Sequence, residues 1–117
     1  MPFIDFNQAP HLKVWDGIHG PIFHSDDLTF GHFILEKGAI VREHQHMQEQ
    51  WTHVIEGELE FTLDGETKLL TSGMVAHMPS NVPHSAIAIS RCKVIDCFRP
   101  VREDFKTLEK WITPSGE

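Results

Sequence analysis

The stretch Gly38-Ala-Ile-Val-Arg-Glu-His44-Gln-His46-Met-Gln-Glu-Gln50-Trp-Thr-His-Val-Ile-Glu-Gly57 decides how the rest of the chain is read. Two histidines one residue apart point the same way only on a strand, where side chains alternate between faces. Imidazole is the commonest side-chain ligand for Zn, Fe, Ni and Cu, so such a pair on a buried face reads as half a metal site. Taken alone, His44 and His46 fit a metal half-site and an ordinary polar pair on a strand equally well. The β-branched residues from Ile40 lead a strand into the pair, and Trp51 to Ile55 forms a second run stopped by Glu56-Gly57.

Further strands extend in both directions. Thr29 to Leu35 is rich in Phe, Ile and Thr and ends at a Glu-Lys-Gly38 turn. Glu58 to Leu63 alternates polar and apolar residues, meets Asp64-Gly65, and resumes from Glu66 to Thr71. Asp-Gly between two such runs is a strong hairpin signal, because both turn positions take positive φ. Ser72-Gly73 opens a strand through Met78, closed by Pro79-Ser-Asn-Val-Pro83. Ala86 to Ile89 and Val94 to Phe98 read as a last hairpin around Ser90–Lys93, and Arg102 to Trp111 as a helix with Phe105, Leu108 and Trp111 on one face. The stretch through Pro10 is irregular and is a candidate to cross to a second subunit. Short strands at even spacing, with no helical pattern between them, predict an all-β sandwich or barrel rather than a parallel α/β sheet.

Composition bounds the rest. A chain of 117 residues predicts one domain, with a barrel core over about 29–99. The formal charge of −7 argues against non-specific nucleic-acid binding, which needs a basic surface. No apolar run approaches the ~20 residues of a membrane span, and the Met-Pro-Phe-Ile-Asp-Phe start lacks a signal-peptide pattern, so a cytoplasmic protein is expected. Cys92 and Cys97 lack metal-type spacing and read as small fillers or exposed thiols.

Nine histidines cannot all be ligands. If Gln50 continues into the following strand, Thr52 and Val54 share its face while Trp51 and His53 point away. That parity removes His53. His84 follows the Pro79–Pro83 turn, where a side chain can be aimed inward, whereas His77 precedes it and reads as a core or surface histidine. Trp51 is expected to serve sheet-on-sheet packing, or with His53 a subunit contact.

Gly38-x5-His44-x-His46-x3-Gln50-x6-Gly57 resembles the first motif of the cupin superfamily, and Gly73-x5-Pro79-x4-His84 resembles the second. The resemblance covers about half the chain, residues 38–88, and implies a cupin double-stranded β-helix, a jelly-roll barrel, here with a short C-terminal helix. It also implies one divalent transition metal (Zn, Ni, Fe or Mn) held by His44, His46 and His84, with Gln50 at the fourth ligand position. The family usually has Glu where this chain has Gln50; Asn81 and Ala88 depart from the second motif. Three imidazoles and an amide are neutral, which leaves the ion a stronger Lewis acid that favours anionic substrates.

Asp96-Cys-Phe98-Arg-Pro-Val-Arg102, with this ligand set, looks like the small cupins of the pectin-degradation family. Those proteins convert 4,5-unsaturated uronates into open-chain keto sugars, and the matching positions imply pocket roles for Asp96, Phe98 and Arg102. Arg102 is expected to clamp a substrate carboxylate, Phe98 to wall the pocket, and Asp96 to stay ionised and shuttle a proton. The structural alternative has Arg102 paired with a rim carboxylate and Asp96 accepting backbone hydrogen bonds. The resemblance implies a small anionic or sugar-like substrate and a homodimer. A dioxygenase or isomerase acting on another small molecule, and a non-catalytic binding cupin, are the competing classes.

Overall fold

Residue-by-residue alternation of burial organises the barrel. In β4 (Thr29–Leu35), Thr29, Gly31, Phe33 and Leu35 face inward while Phe30, His32 and Ile34 face out. In β6 (Glu49–Glu56) the inward set is Gln50, Thr52 and Val54, and in β11 (Cys92–Arg99) it includes Val94, Asp96 and Phe98. The computed structural model describes residues 3–112, and eleven strands are found among them. The others are β1 (Leu12–Trp15), β2 (Ile18–Gly20), β3 (Ile22–His24), β5 (Ile40–His44), β7 (Leu59–Leu63), β8 (Glu66–Leu70), β9 (Val75–Met78) and β10 (His84–Ala88).

Every pairing is antiparallel. One sheet runs β1-β2-β4-β11-β6-β9, with β3 also on β4, and the other runs β5-β10-β7-β8. Neighbours distant in sequence, β4 beside β11 and β5 beside β10, mark the jelly roll. Phe33, Leu35, Val54 and Val94 from the first sheet and Leu59, Phe61, Ala86 and Ala88 from the second share one buried core. Among the described residues no helix is long and apolar enough to cross a membrane.

Several sequence expectations change. β1, β2 and β3 precede the expected first strand; they are too short for alternation to show, although Asp16-Gly17 is a turn signal like Asp64-Gly65. Asp64 and Gly65 do take positive φ, at 47° and 84°. β5 stops at His44, so His46 lies in the bend that follows, and β6 starts at Glu49. β10 and β11 do not form a hairpin; they belong to different sheets, and Ile89–Arg91 carries the chain across the barrel corner. Trp51 is not core packing: it stands 49% exposed on the outer face, stacked on His77 at 4.1 Å. His77 in turn bonds Glu49 at 2.5 Å. In the N-terminal stretch, Phe6 stacks on His32 of the same chain at 3.7 Å.

The expected helix over 102–111 contracts to a 3-10 turn at Glu103–Thr107. Its N-cap, Arg102, makes no side-chain cap bond, and ten residues are marginal for an isolated helix. The edge of β1 competes for the remainder: Lys13 N–H donates to the Glu109 carbonyl at 2.7 Å and Trp111 N–H to the His11 carbonyl at 2.8 Å. The turn still buries Phe105, edge-on to Phe98 at 5.4 Å and to Phe33 at 6.4 Å.

The barrel corner makes one glycine irreplaceable. Gly57 has φ +95°, and a Cβ there would meet the Arg91 carbonyl oxygen at 2.4 Å. Gly38 has a similar φ of +86° with nothing within 4 Å. Gly38→Ala is therefore expected to cost only the left-handed strain, about 1–2 kcal/mol. Gly57→Ala should lose clearly more, read as a lower urea midpoint in parallel unfolding curves.

Candidate metal centre

A bulge brings the first ligand inward. Between the pairs His84↔His44 and Ala86↔Val41, three steps of β5 oppose two of β10, so Val41 and His44 both face the interior. His84 faces the same space from β10, and the bend after β5 turns His46 toward it. The ligand atoms of His44, His46 and His84 lie within 4.8 Å of one another. The three histidines of the sequence pattern do lie together, brought there by a bulge and a bend rather than by uniform strand parity.

Each imidazole is held by the same device. His44 Nδ1–H donates to the Arg42 carbonyl, His46 Nδ1–H to the Gln48 carbonyl and His84 Nδ1–H to the Val82 carbonyl, each at 2.9 Å. A carbonyl only accepts, so Nδ1 carries the proton and Nε2 presents a lone pair. Burial pushes His84 down to about 4 and also lowers His46, with Arg102 adding to both shifts, so a proton competes poorly for those lone pairs at neutral pH. Aromatic neighbours fix the rings: Trp15 stands edge-on to His44 at 5.0 Å, and Phe98 edge-on to His46 at 5.8 Å.

Two observations test whether a cation fits. His84 Nε2 is buried with no hydrogen-bond partner, an arrangement that costs free energy unless something binds the lone pair. Gln50 Oε1 lies 3.0 Å from His46 Nε2, and with Nδ1 already protonated both atoms are acceptors. Two lone pairs at that distance repel unless a positive charge shares them. The donor set suits a borderline transition metal, and it fits.

Antiparallel register delivers the other predicted residues. Gln50 pairs with Phe98 and Thr52 with Asp96 across β6 and β11, so all four side chains enter one cavity with His44 and His84. Thr52 Oγ1 donates to Asp96 Oδ1 at 2.6 Å, where the structural alternative had foreseen backbone donors. Desolvation pushes the Asp96 carboxyl up from 3.8 to about 6, against the downward pull of Thr52, Gln50 and Arg102. With protein groups alone it is thus poised near neutrality rather than firmly ionised; a bound cation would draw it back down.

Arg102 lines the same cavity and meets a rim carboxylate as well. Its Nε and Nη2 donate to Asp104 at 3.0 and 2.8 Å, and its guanidinium lies 4.0 Å over Phe105 and 4.9 Å over Phe98. Its backbone N–H donates to the buried Thr29 Oγ1 at 2.8 Å. Sequence reasoning missed Trp15, Thr29 and Phe105 as parts of this site. Trp15 and Thr29 sit outside the motif spacing, and Phe105 was read as packing alone.

The Cupin domain family matches residues 31–98 of the chain. Pectin degradation protein KdgF of Dickeya dadantii (strain 3937) is 34% identical over 106 residues, which is 88% of this chain and 96% of that protein. KdgF from Halomonas sp. superposes with a TM-score of 0.84 at 30% identity, covering 90% of this chain and 98% of the other. An RmlC-like cupin from Shewanella frigidimarina NCIMB 400 also gives 0.84, at 31% identity over 88% and 94% of the two chains. The chain belongs to the cupin family. Within that family it groups with the small cupins similar to pectin degradation protein KdgF.

The buried carboxyl leaves a pH signature. Asp96 titrates at 3.8 in the unfolded chain and at about 6 in the fold, so the folded state holds its proton more tightly. The stabilisation is complete below pH 3.8 and disappears as pH rises through about 6, on the order of 3 kcal/mol in total. In metal-free protein, Asp96→Asn should therefore gain stability relative to wild type between about pH 4 and pH 8. Urea unfolding with chelator present, at fixed ionic strength, measures the difference; a pH-independent difference contradicts the assignment.

Proposed function

We propose that the chain is a metal-dependent cupin enzyme that converts 4,5-unsaturated uronate sugars into open-chain keto sugars. The observation that carries this reading is the convergence of Asp96, Phe98 and Arg102 on the cavity lined by His44 and His84, two members of the three-histidine cluster. Similarity to KdgF, a pectin degradation protein, supports a pectin-derived sugar as the substrate class. In this reading His44, His46, His84 and Gln50 hold one divalent transition metal. That ion, when bound, supplies a Lewis acid that ligates and polarises the sugar oxygens next to the reacting carbons.

The protein groups divide the remaining work. Arg102 spends two donor positions on Asp104, and its remaining N–H groups are available to a substrate carboxylate. Phe98 and Phe105 hold the guanidinium plane so that the carboxylate meets a fixed donor array. Asp96 Oδ1 is taken by Thr52, which leaves Oδ2 to accept and return a proton during hydration or tautomerisation of the enol. With protein groups alone the carboxyl sits near 6, and a bound cation would lower it, so in the loaded enzyme Asp96 would start as the ionised base of that shuttle. Phe98, buried beside His46, excludes competing water. The assembly we propose is a homodimer and the compartment the cytoplasm.

The decisive measurement is loss of the ultraviolet absorbance of the conjugated alkene in an unsaturated uronate. Asp96→Asn should retain metal and fold while kcat falls by about 100-fold or more, the scale of a lost general acid–base. Arg102→Lys should mainly raise KM, since lysine keeps the charge but not the planar donor pair. Full activity in chelated protein, or an unaltered rate in Asp96→Asn, would falsify the scheme.

A further inference from the structure

Gln50 is the unusual member of the candidate ligand set, and an amide is a ligand through only one of its two ends. The oxygen must face the imidazoles and the NH2 must face away. Nothing intrinsic to glutamine imposes that choice, because the amide is nearly symmetric in shape and either rotation fills the same space.

The surroundings do impose it. Gln50 Nε2 donates to Thr52 Oγ1 at 2.9 Å, and Thr52 Oγ1 donates its single proton to Asp96 Oδ1 at 2.6 Å. With that proton committed, Thr52 presents only lone pairs to Gln50. Rotating the amide would set Gln50 Oε1 against Thr52 Oγ1, acceptor against acceptor, in a site where Gln50 is 8% exposed and Thr52 3%. Water cannot relieve such a clash there cheaply. The three groups therefore form a directed chain, with the amide donating to the hydroxyl and the hydroxyl to the carboxylate. Cross-strand register keeps it in line, since Thr52 sits opposite Asp96 and two residues beyond Gln50 on the same face of β6.

We propose that Thr52 is a positioning residue of the metal centre: it fixes the Gln50 carbonyl oxygen toward the ion and passes the polarising effect of Asp96 to that neutral ligand. The inference rests on the metal reading above and goes beyond it by assigning a residue that touches neither metal nor substrate. Hydrogen bonds behind a ligand typically govern ~10–100-fold in metal affinity. Polarisation along the chain makes the amide oxygen a better donor than an isolated amide, which offsets part of the charge absent from a glutamine ligand.

The test strips the purified protein with chelator and titrates it with Co(II) alone, following visible absorbance and affinity. Thr52→Val keeps the shape and replaces the hydroxyl with a methyl; it should weaken Co(II) binding about 10–100-fold and shift the d–d bands. Thr52→Ser keeps the hydroxyl, loses the methyl, and should match wild type in both respects. Thr52→Ala gives the same reading as the valine variant should that one fail to fold, and apo unfolding curves confirm the folded state of each. Wild-type affinity and spectrum in Thr52→Val or Thr52→Ala would overturn the inference. So would a Thr52→Ser variant as impaired as Thr52→Val, because the retained hydroxyl would then fail to hold the amide. Wild-type protein that takes up no Co(II) overturns the metal reading, and this inference with it; binding by wild type that the variants leave intact overturns this inference alone.

Discussion

The antiparallel register of β6 on β11 is the constraint on which the rest of the site depends. Pairing Gln50 with Phe98 fixes Thr52 opposite Asp96, and a slip of one residue would turn all of them to the outer face. The outer face is already populated by the alternate residues Trp51, His53 and Cys97, so a slipped register would bury that set against the core instead. Packing on both sides thus holds the register. Val54 and Val94 lie at 0% and 3% exposure on the same inward rows, and their burial secures the positions of the polar residues further along each strand.

The two sheets contribute differently to the centre. The four-stranded sheet brings His44 and His84 together through direct pairing of β5 and β10, and its bulge lets His44 join an otherwise apolar inner face. The seven-stranded sheet brings the oxygen-bearing groups Gln50, Thr52 and Asp96 and the wall residue Phe98. His46 belongs to neither, and its ring is steadied instead by the Gln48 carbonyl and by Phe98. A centre shared between two sheets is sensitive to their separation, which large buried side chains such as Phe33, Leu59 and Phe61 maintain.

Much of this was legible in the chain before any coordinates. The motif spacing from Gly38 to Gly57 and from Gly73 to His84 identified the cupin barrel, and parity on β6 separated Gln50 from His53 correctly. What escaped has physical causes. Alternation is a period-two signal, and three- or four-residue strands such as β2, β3 and β1 are too short to express it. A corner and a hairpin look alike in sequence, since both are short polar breaks, so Ser90-Arg91 did not reveal that β10 and β11 part company. The helix signal over 102–111 was a true apolar spacing of three, but tertiary bonds to β1 claimed the backbone that an isolated helix would have used. Thr52 was placed on the right face, yet its importance lies in a hydrogen bond to a residue 44 positions away, which no local pattern encodes.

Charge is the remaining question about such a centre, and the arrangement of the chain bears on it directly. Three imidazoles and an amide bring no negative charge to a divalent ion on the proposed reading. The one carboxylate behind them, Asp96, sits where desolvation resists its ionisation, so the protein alone leaves the region electron-poor. Arg102 adds a further positive charge at the cavity wall, but Asp104 offsets it from the rim side, and the pair is asymmetric: the guanidinium is 11% exposed and the carboxylate 63%. The exposed partner is screened by water and the buried one is not. Seen from inside the cavity, the field therefore remains positive. On the proposed reading, an anionic ligand entering it would meet the remaining donors of Arg102 and compensate the ion without displacing a protein carboxylate. On the same reading, a glutamate at position 50 would instead offset part of the ion's charge from within and weaken that attraction, which would give Gln50 a physical role in favouring anionic ligands over neutral ones.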